Sequence, residues 1–323
     1  MATKVWLGLG AAADNGLSPH DSCRQARGHA HDGGAFDTVG MTISQGNRPA
    51  VLLLHGLCAN PLELAPVAKS LREVGYVVEV PELPGYGVSA RAGGEAGPVQ
   101  SFEQWIQAVE LIHDRLAAEH GRVAIGGLCM GAVLGMALAA RRPASALVLI
   151  STTLHFDGWN VSPWRRLLPL AYLPPLRRRL SFRETQPFGL KNERLRAWVE
   201  QAMASDQVSA VGAARLSAAA LFEATRLIRH VRARLNRLTM PAVVLHATED
   251  DVAGPRSVHE LQARLGSTPE VHWFHDSYHM LTLDNERQAV ARTVRDFLLR
   301  CHPLAALPNP SHGPHGALDE QHA

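Results

Sequence analysis

The chain has 323 residues, 46% of them hydrophobic, and a formal net charge of +2. That length buries a large core and fits one α/β domain carrying an inserted subdomain. The near-neutral balance gives neither nucleic acid nor an anionic membrane an overall electrostatic attraction, and no apolar run approaches the ~20 residues that span a bilayer.

Residues 1–37 are rich in Gly, Ala, His and Asp without periodicity and read as a flexible arm. Lys4 and the run Val5-Trp6-Leu7-Gly8-Leu9-Gly10 faintly suggest a signal peptide, but the run is short and glycine-broken. Strand and helix signals then alternate. Val51 to Leu54 is a strand, Leu62 to Val74 a helix, Tyr76 to Val80 a strand, and Phe102 to His120 a helix. Val123 to Ile125, a helix from Ala132 to Ala140, and Leu147 to Ile150 follow. Such alternation predicts an α/β fold with a mostly parallel central sheet and helices on both faces.

After Ser151 the rhythm changes to a tryptophan- and proline-rich stretch and then helical segments, so residues 151–238 read as an inserted helical cap. Within it Arg177-Arg178-Arg179 reads as a solvated surface. The sheet resumes at Ala242 to Leu245 and Val271 to Phe274, and Arg287 to Leu299 supplies a closing helix. Residues 38–150 and 239–301 therefore form the core, and residues 302–323 a flexible tail. The four cysteines, Cys23, Cys58, Cys129 and Cys301, show no C-x-x-C spacing, which favours a reducing compartment and a cytoplasmic protein.

Chemistry concentrates at Gly127-Leu128-Cys129-Met130-Gly131, directly after the strand at Val123. Written G-x-C-x-G between a buried strand and a helix, this is a nucleophile elbow in which small flanking residues permit a sharp turn. The helix N-terminus behind Cys129 favours a thiolate and the oxyanion formed on attack. His55-Gly56-Leu57-Cys58 follows the first strand, placing the backbone N–H of Leu57 to pair with that of Met130 as an oxyanion hole. His55 itself reads as a structural histidine shaping that loop.

The acid and base follow in chain order. Thr248-Glu249-Asp250-Asp251 lies beyond the strand at Ala242, with Asp250 preferred and Asp251 its rival. Ser277-Tyr278-His279 precedes the closing helix, so His279 takes the thiol proton while the acid fixes its tautomer. His259, His272 and His275 compete, but they fall within a helix, within a strand and too near a strand end.

Together with Leu53-Leu54-His55-Gly56, Leu83 to Ser89 and Leu281-Thr282-Leu283-Asp284, these pieces resemble the α/β-hydrolase superfamily, most closely its bacterial carboxylesterase and monoacylglycerol lipase branch. The resemblance covers about Val39 to Leu299. It implies the α/β-hydrolase fold, a Cys129-His279-Asp250 triad, a cap over the pocket, a small-molecule acyl substrate, and no metal or organic cofactor. The departure is Cys129, since that branch usually carries serine; cysteine at the elbow is similar to dienelactone hydrolases and polyhydroxyalkanoate synthases.

Sulfur narrows the expected chemistry, because a thiolate leaves a tetrahedral intermediate more readily than an alkoxide. The leading expectation is a hydrolase of carboxylic esters or thioesters that favours activated donors, with the acyl chain held under the cap by Trp159 and Trp164. An acyltransferase using the same acyl-cysteine is the alternative, and an inert binding protein of the same fold is a third reading. A Cys58–Cys129 disulfide that silences the enzyme under oxidation is a further, smaller alternative.

Overall fold

The computed structural model describes residues 48–87, 98–204 and 215–304, without the side chains of Trp164 and residues 202–204. The expected N-terminal arm, residues 305–323 and the Trp164 side chain therefore lie outside the described part. In chain order the elements are β1 (Ala50–Leu54), α1 (Ala65–Glu73), β2 (Val77–Glu79), α2 (Phe102–His120), β3 (Val123–Leu128), α3 (Met130–Ala139) and β4 (Leu147–Ile150). An inserted run follows: α4 (Leu168–Ala171), α5 (Pro174–Arg177), β5 (Ser181–Arg183), α6 (Glu193–Ala204), β6 (Arg215–Ser217) and α7 (Ala218–Arg232). The core closes with β7 (Ala242–Ala247), α8 (Arg256–Arg264), β8 (Glu270–Phe274) and α9 (Arg287–Cys301).

Six strands form a parallel sheet in the order β2-β1-β3-β4-β7-β8. The continuous apolar run of β1 is buried throughout, as a strand covered on both faces must be. Its side chains divide with period two: Val51 and Leu53 pack with Val67 and Leu71 of α1 and Val294 of α9. Leu52 and Leu54 pack with Trp105 of α2 and Leu134 of α3 on the opposite face. The long helix α2 starts at a capping box, in which the Gln104 N–H donates to Ser101 Oγ while the Ser101 N–H donates to the Gln104 side chain. Among the described residues no helix is long and apolar enough to cross a membrane.

Three features depart from expectation. The insertion is not wholly helical, because β5 and β6 pair antiparallel with Phe182 opposite Leu216; three-residue strands so far apart in sequence leave no periodic signal. Its last helix belongs to the core, since Ala224, Leu227, Ile228 and Val231 of α7 join the cluster built on α2 and α3. The segment read as a loose tail also begins with an anchored residue. His302 is fully buried, stacks on Tyr76, and bonds Ser145 Oγ at 2.8 Å and the Ala50 carbonyl at 3.1 Å.

Candidate active site

The parallel sheet brings the C-terminal ends of β1, β3, β4 and β7 side by side, where an open α/β sheet places its ligands. At the end of β3, Cys129 adopts φ 55° and ψ −119° and caps α3. A positive φ at a residue with a Cβ is strained and marks a turn that its surroundings enforce. The enforcement is visible in the two glycines of the motif. A Cβ on Gly127 would stand 2.4 Å from the Gly131 carbonyl carbon, and one on Gly131 would stand 2.0 Å from the Leu54 carbonyl oxygen. The Cys129 N–H donates to the Ile150 carbonyl at 2.9 Å, tying the turn to β4. Sulfur has a close polar neighbour in the Thr153 hydroxyl at 3.3 Å, which also donates to the Ser151 carbonyl.

The loop after β1 faces this turn. Leu57 and Met130 both line the cavity with Cys129, and among the described residues neither N–H donates to a backbone carbonyl. Two backbone donors are thus available beside the sulfur. His55 is fully buried; its Nδ1 pairs with the Gly56 carbonyl at 2.8 Å, and burial pulls its pKa down to about 4. Its ring is thus tied to the loop's own backbone.

Glu63 is a residue that the sequence pattern does not single out. The Gly56 N–H donates to its carboxyl group, which is buried and lines the cavity. Removal from water pushes this carboxyl up to about 8, against the opposing pull of the Gly56 N–H and His279. Its sequence signal, an acid in the first turn after the Asn60 cap, says only that a short helix starts there.

The structure brings His279 and Asp250 together. The ring Nδ1 lies 2.8 and 2.9 Å from the two carboxylate oxygens, while the carboxylate also accepts the N–H groups of Val252 and Ala253 at 2.8 and 2.7 Å. Burial pulls the imidazole down, but the attraction of Asp250 and of Cys129 outweighs it and holds His279 well above the ordinary histidine value. Burial likewise pushes Asp250 up; His279, His246 and the Ala253 N–H overcome this and keep it below the usual carboxylate range. The opposite ring nitrogen, Nε2, is buried and makes no complete hydrogen bond among the described residues, and His279 lines the cavity that holds Cys129. Asp251 accepts instead from the backbone N–H groups of His279 and Gly189, at 3.3 and 3.2 Å. The two adjacent acids are therefore divided between the ring and the loop that carries it.

None of the competing histidines, His259, His272 and His275, lines the cavity that holds Cys129, and the His272 ring pairs with Glu270 at 2.6 Å. A cavity of about 370 Å³ extends from Cys129 under the insertion, walled by Phe156, Leu168, Phe182, Phe188, Leu216 and Leu221. Trp159, expected among these walls, is not there. It is 58% exposed, its indole N–H donates to the Glu249 carbonyl at 2.9 Å, and its ring meets Tyr278 edge-on. The indole N–H finds its carbonyl outside the cavity, and phenylalanines take the wall positions. Cys58 lines the same cavity as a free thiol, pushed up to about 12 by burial, and Cys129 is likewise free.

Over residues 45–286 the chain matches the family described as serine aminopeptidase, S33. A carboxylesterase of Bacillus subtilis (strain 168) is 25% identical over 256 residues, covering 79% of this chain and 94% of its own. A thermostable monoacylglycerol lipase of Bacillus sp. (strain H-257) is 23% identical over 251 residues, covering 77% and 90%. The crystal structure of Paleococcus ferrophilus monoacylglycerol lipase superposes with a TM-score of 0.62 at 19% identity, covering 79% of this chain and 96% of that one.

Proposed function

The chain belongs to the serine aminopeptidase S33 family of hydrolases, and we propose that within it this protein hydrolyses carboxylic esters and thioesters through an acyl thioester on Cys129. The reading is supported above all by one observation: sulfur stands at the strained elbow position, in one cavity with His279, whose Nε2 makes no complete hydrogen bond among the described residues. Kinship with a carboxylesterase and a monoacylglycerol lipase supports the ester half of it.

In this reading His279 Nε2 takes the proton of the Cys129 thiol, and Asp250 balances the charge that the ring acquires. Sulfur attacks the acyl carbonyl, and the oxyanion forms against the N–H groups of Leu57 and Met130. Collapse expels the leaving alkoxide or thiolate, which takes the proton back from His279. Water, deprotonated by the same ring, then attacks the acyl thioester and releases the acid and the free thiol. The insertion acts as the cap that shelters the acyl chain. Because thiolate departs more readily than alkoxide, plain alkyl esters return to starting material, whereas thioesters and aryl or enol esters proceed.

The test is a substrate panel run on wild type, Cys129→Ala and Cys129→Ser. We expect the alanine variant to lose roughly a thousandfold or more of turnover on acyl thioesters and p-nitrophenyl esters. The serine variant should gain on alkyl esters and lose on thioesters. Intact mass of wild type mixed with a slow donor should show one acyl adduct at Cys129. Full activity of Cys129→Ala would dispose of the mechanism, and an adduct discharged by alcohol or amine but not by water would make the protein a transferase.

A further inference from the structure

The near-neutral total charge conceals a strong division. Residues 151–238 hold 15 arginines and lysines against 6 acidic residues, so the remainder of the chain is net acidic. Within that insertion, Pro163 to Arg183 carries Arg165, Arg166, Arg177, Arg178, Arg179 and Arg183 and no acid at all. Among the described residues none of the six makes an ion pair. Interleaved with them are Leu167, Leu170, Leu173 and Leu176, which expose 49, 57, 51 and 41% of their surface at a spacing of three residues. The segment is held from beneath. Ala171 is buried, Tyr172 bonds Thr225 of α7 at 3.1 Å and packs on Phe222, and the Arg177 guanidinium lies 4.6 Å over that same ring. Arg165 and Leu168 meanwhile line the cavity, so the segment is at once outer surface and cavity wall.

We propose that Pro163 to Arg183 is a docking surface for an anionic lipid membrane, with the leucines entering the acyl layer and the arginines lying among the phosphates. Charge complementarity selects the partner, since six guanidinium groups without one carboxylate among them attract an anionic surface and a neutral one gives them nothing. The leucines select a lipid over a soluble polyanion. A soluble phosphate donor would engage the arginines and leave four half-exposed apolar side chains in water, whereas a bilayer interface takes both. Docked in this way, the cavity wall at Arg165 and Leu168 lies against the interface, from which an acyl chain passes toward Cys129. That last step rests on the function proposed above; the docking does not.

The two are separated by measuring binding on the full-length Cys129→Ala variant. Co-sedimentation with vesicles of phosphatidylcholine containing one quarter phosphatidylglycerol should be strong at low salt and fall roughly tenfold or more at about 0.5 M NaCl, and pure phosphatidylcholine should bind little. Replacing three exposed arginines together, Arg166→Gln, Arg178→Gln and Arg179→Gln, should weaken binding on the order of a hundredfold. Leu170→Ser with Leu173→Ser should weaken it roughly tenfold while leaving the salt dependence in place, with both variants melting as the parent does. Equal affinity for neutral and anionic vesicles, absence of binding, or indifference to either set of substitutions overturns the proposal. So does a result in which vesicles do not bind but, in the Cys129-containing enzyme, the arginine variant raises KM for an acyl-coenzyme A thioester tenfold over that for the matching p-nitrophenyl ester.

Discussion

Glu63→Gln isolates a carboxyl group of the cavity that takes no part in the proposed chemistry. The acid is raised from 4.5 to about 8 by burial, with its carboxyl oxygen accepting the Gly56 N–H. The sign is the reverse of the usual acidic residue. Between pH 4.5 and about 8 the folded protein keeps a proton that the unfolded chain has lost, so Glu63 lowers stability as pH rises through that window and contributes no penalty below it. A shift of this size corresponds to about 5 kcal/mol once both states are ionised, of which about 3 kcal/mol has accumulated by about pH 7. Glutamine retains an oxygen for the Gly56 N–H and cannot ionise. Urea unfolding of wild type and variant at about pH 4.5, 7 and 9 should therefore give curves that differ little in acid and diverge steadily toward alkali, the variant being the more stable by several kcal/mol at the alkaline end. Groups elsewhere cancel in the difference between the two proteins. A constant offset across the pH series would mean that Glu63 titrates as a solvated carboxylate, and that the oxyanion loop does not enclose it.

Asp250→Asn removes the charge that supports the ring and should lower kcat by on the order of 10³ to 10⁴, whereas Asp251→Asn, which leaves the Asp250–His279 pair intact, should cost less than roughly tenfold; steady-state kinetics on one thioester decides, and equal losses would refute the division of labour. Gly131→Ala drives a Cβ to 2.0 Å from the Leu54 carbonyl oxygen, so the variant should fail to accumulate as a folded protein or melt far below wild type by circular dichroism. Trp159→Phe should leave kcat/KM within about twofold, since the indole bonds Glu249 outside the cavity; a large rise in KM would return Trp159 to the substrate site.

Much of this architecture is legible in the sequence because it depends on local rules. The unbroken apolar run at Val51 to Leu54 announces a strand covered on both faces, and Gly127 and Gly131 announce the elbow because nothing larger fits against Leu54 and Ala132. What is not legible depends on direction in space. Asp250 and Asp251 are chemically equivalent in the chain, and only the turn geometry aims one at the His279 ring and the other at two backbone N–H groups. Glu63 looks like a helix-start acid until the loop folds Gly56 onto it. The size of Trp159 argues for the cavity, yet a tryptophan also needs an acceptor for its N–H, and the available carbonyl is outside. His302 follows the last helix and looks like tail, but two ring nitrogens with partners on β1 and Ser145 hold it in place.

The elbow separates structural from chemical demands. Its strained backbone at Cys129 is held by the Ile150 carbonyl and by the closeness of Gly131 to β1, while the Ser151 hydroxyl donates to the His279 carbonyl at 2.7 Å and ties the His279 loop to the end of β4. All of these restraints act on backbone atoms and are indifferent to whether residue 129 carries sulfur or oxygen. The side chain itself meets the Thr153 hydroxyl, whose proton goes to the Ser151 carbonyl and whose oxygen can accept from a thiol or a hydroxyl alike. In the proposed mechanism, exchanging sulfur for oxygen therefore alters leaving-group chemistry and nucleophilicity while the fold, the Leu57 and Met130 N–H groups and the His279–Asp250 pair stay as they are. In the mechanism we propose, the scaffold sets the geometry of acyl transfer, and the identity of the atom at one strained position decides which acyl donors that geometry can turn over.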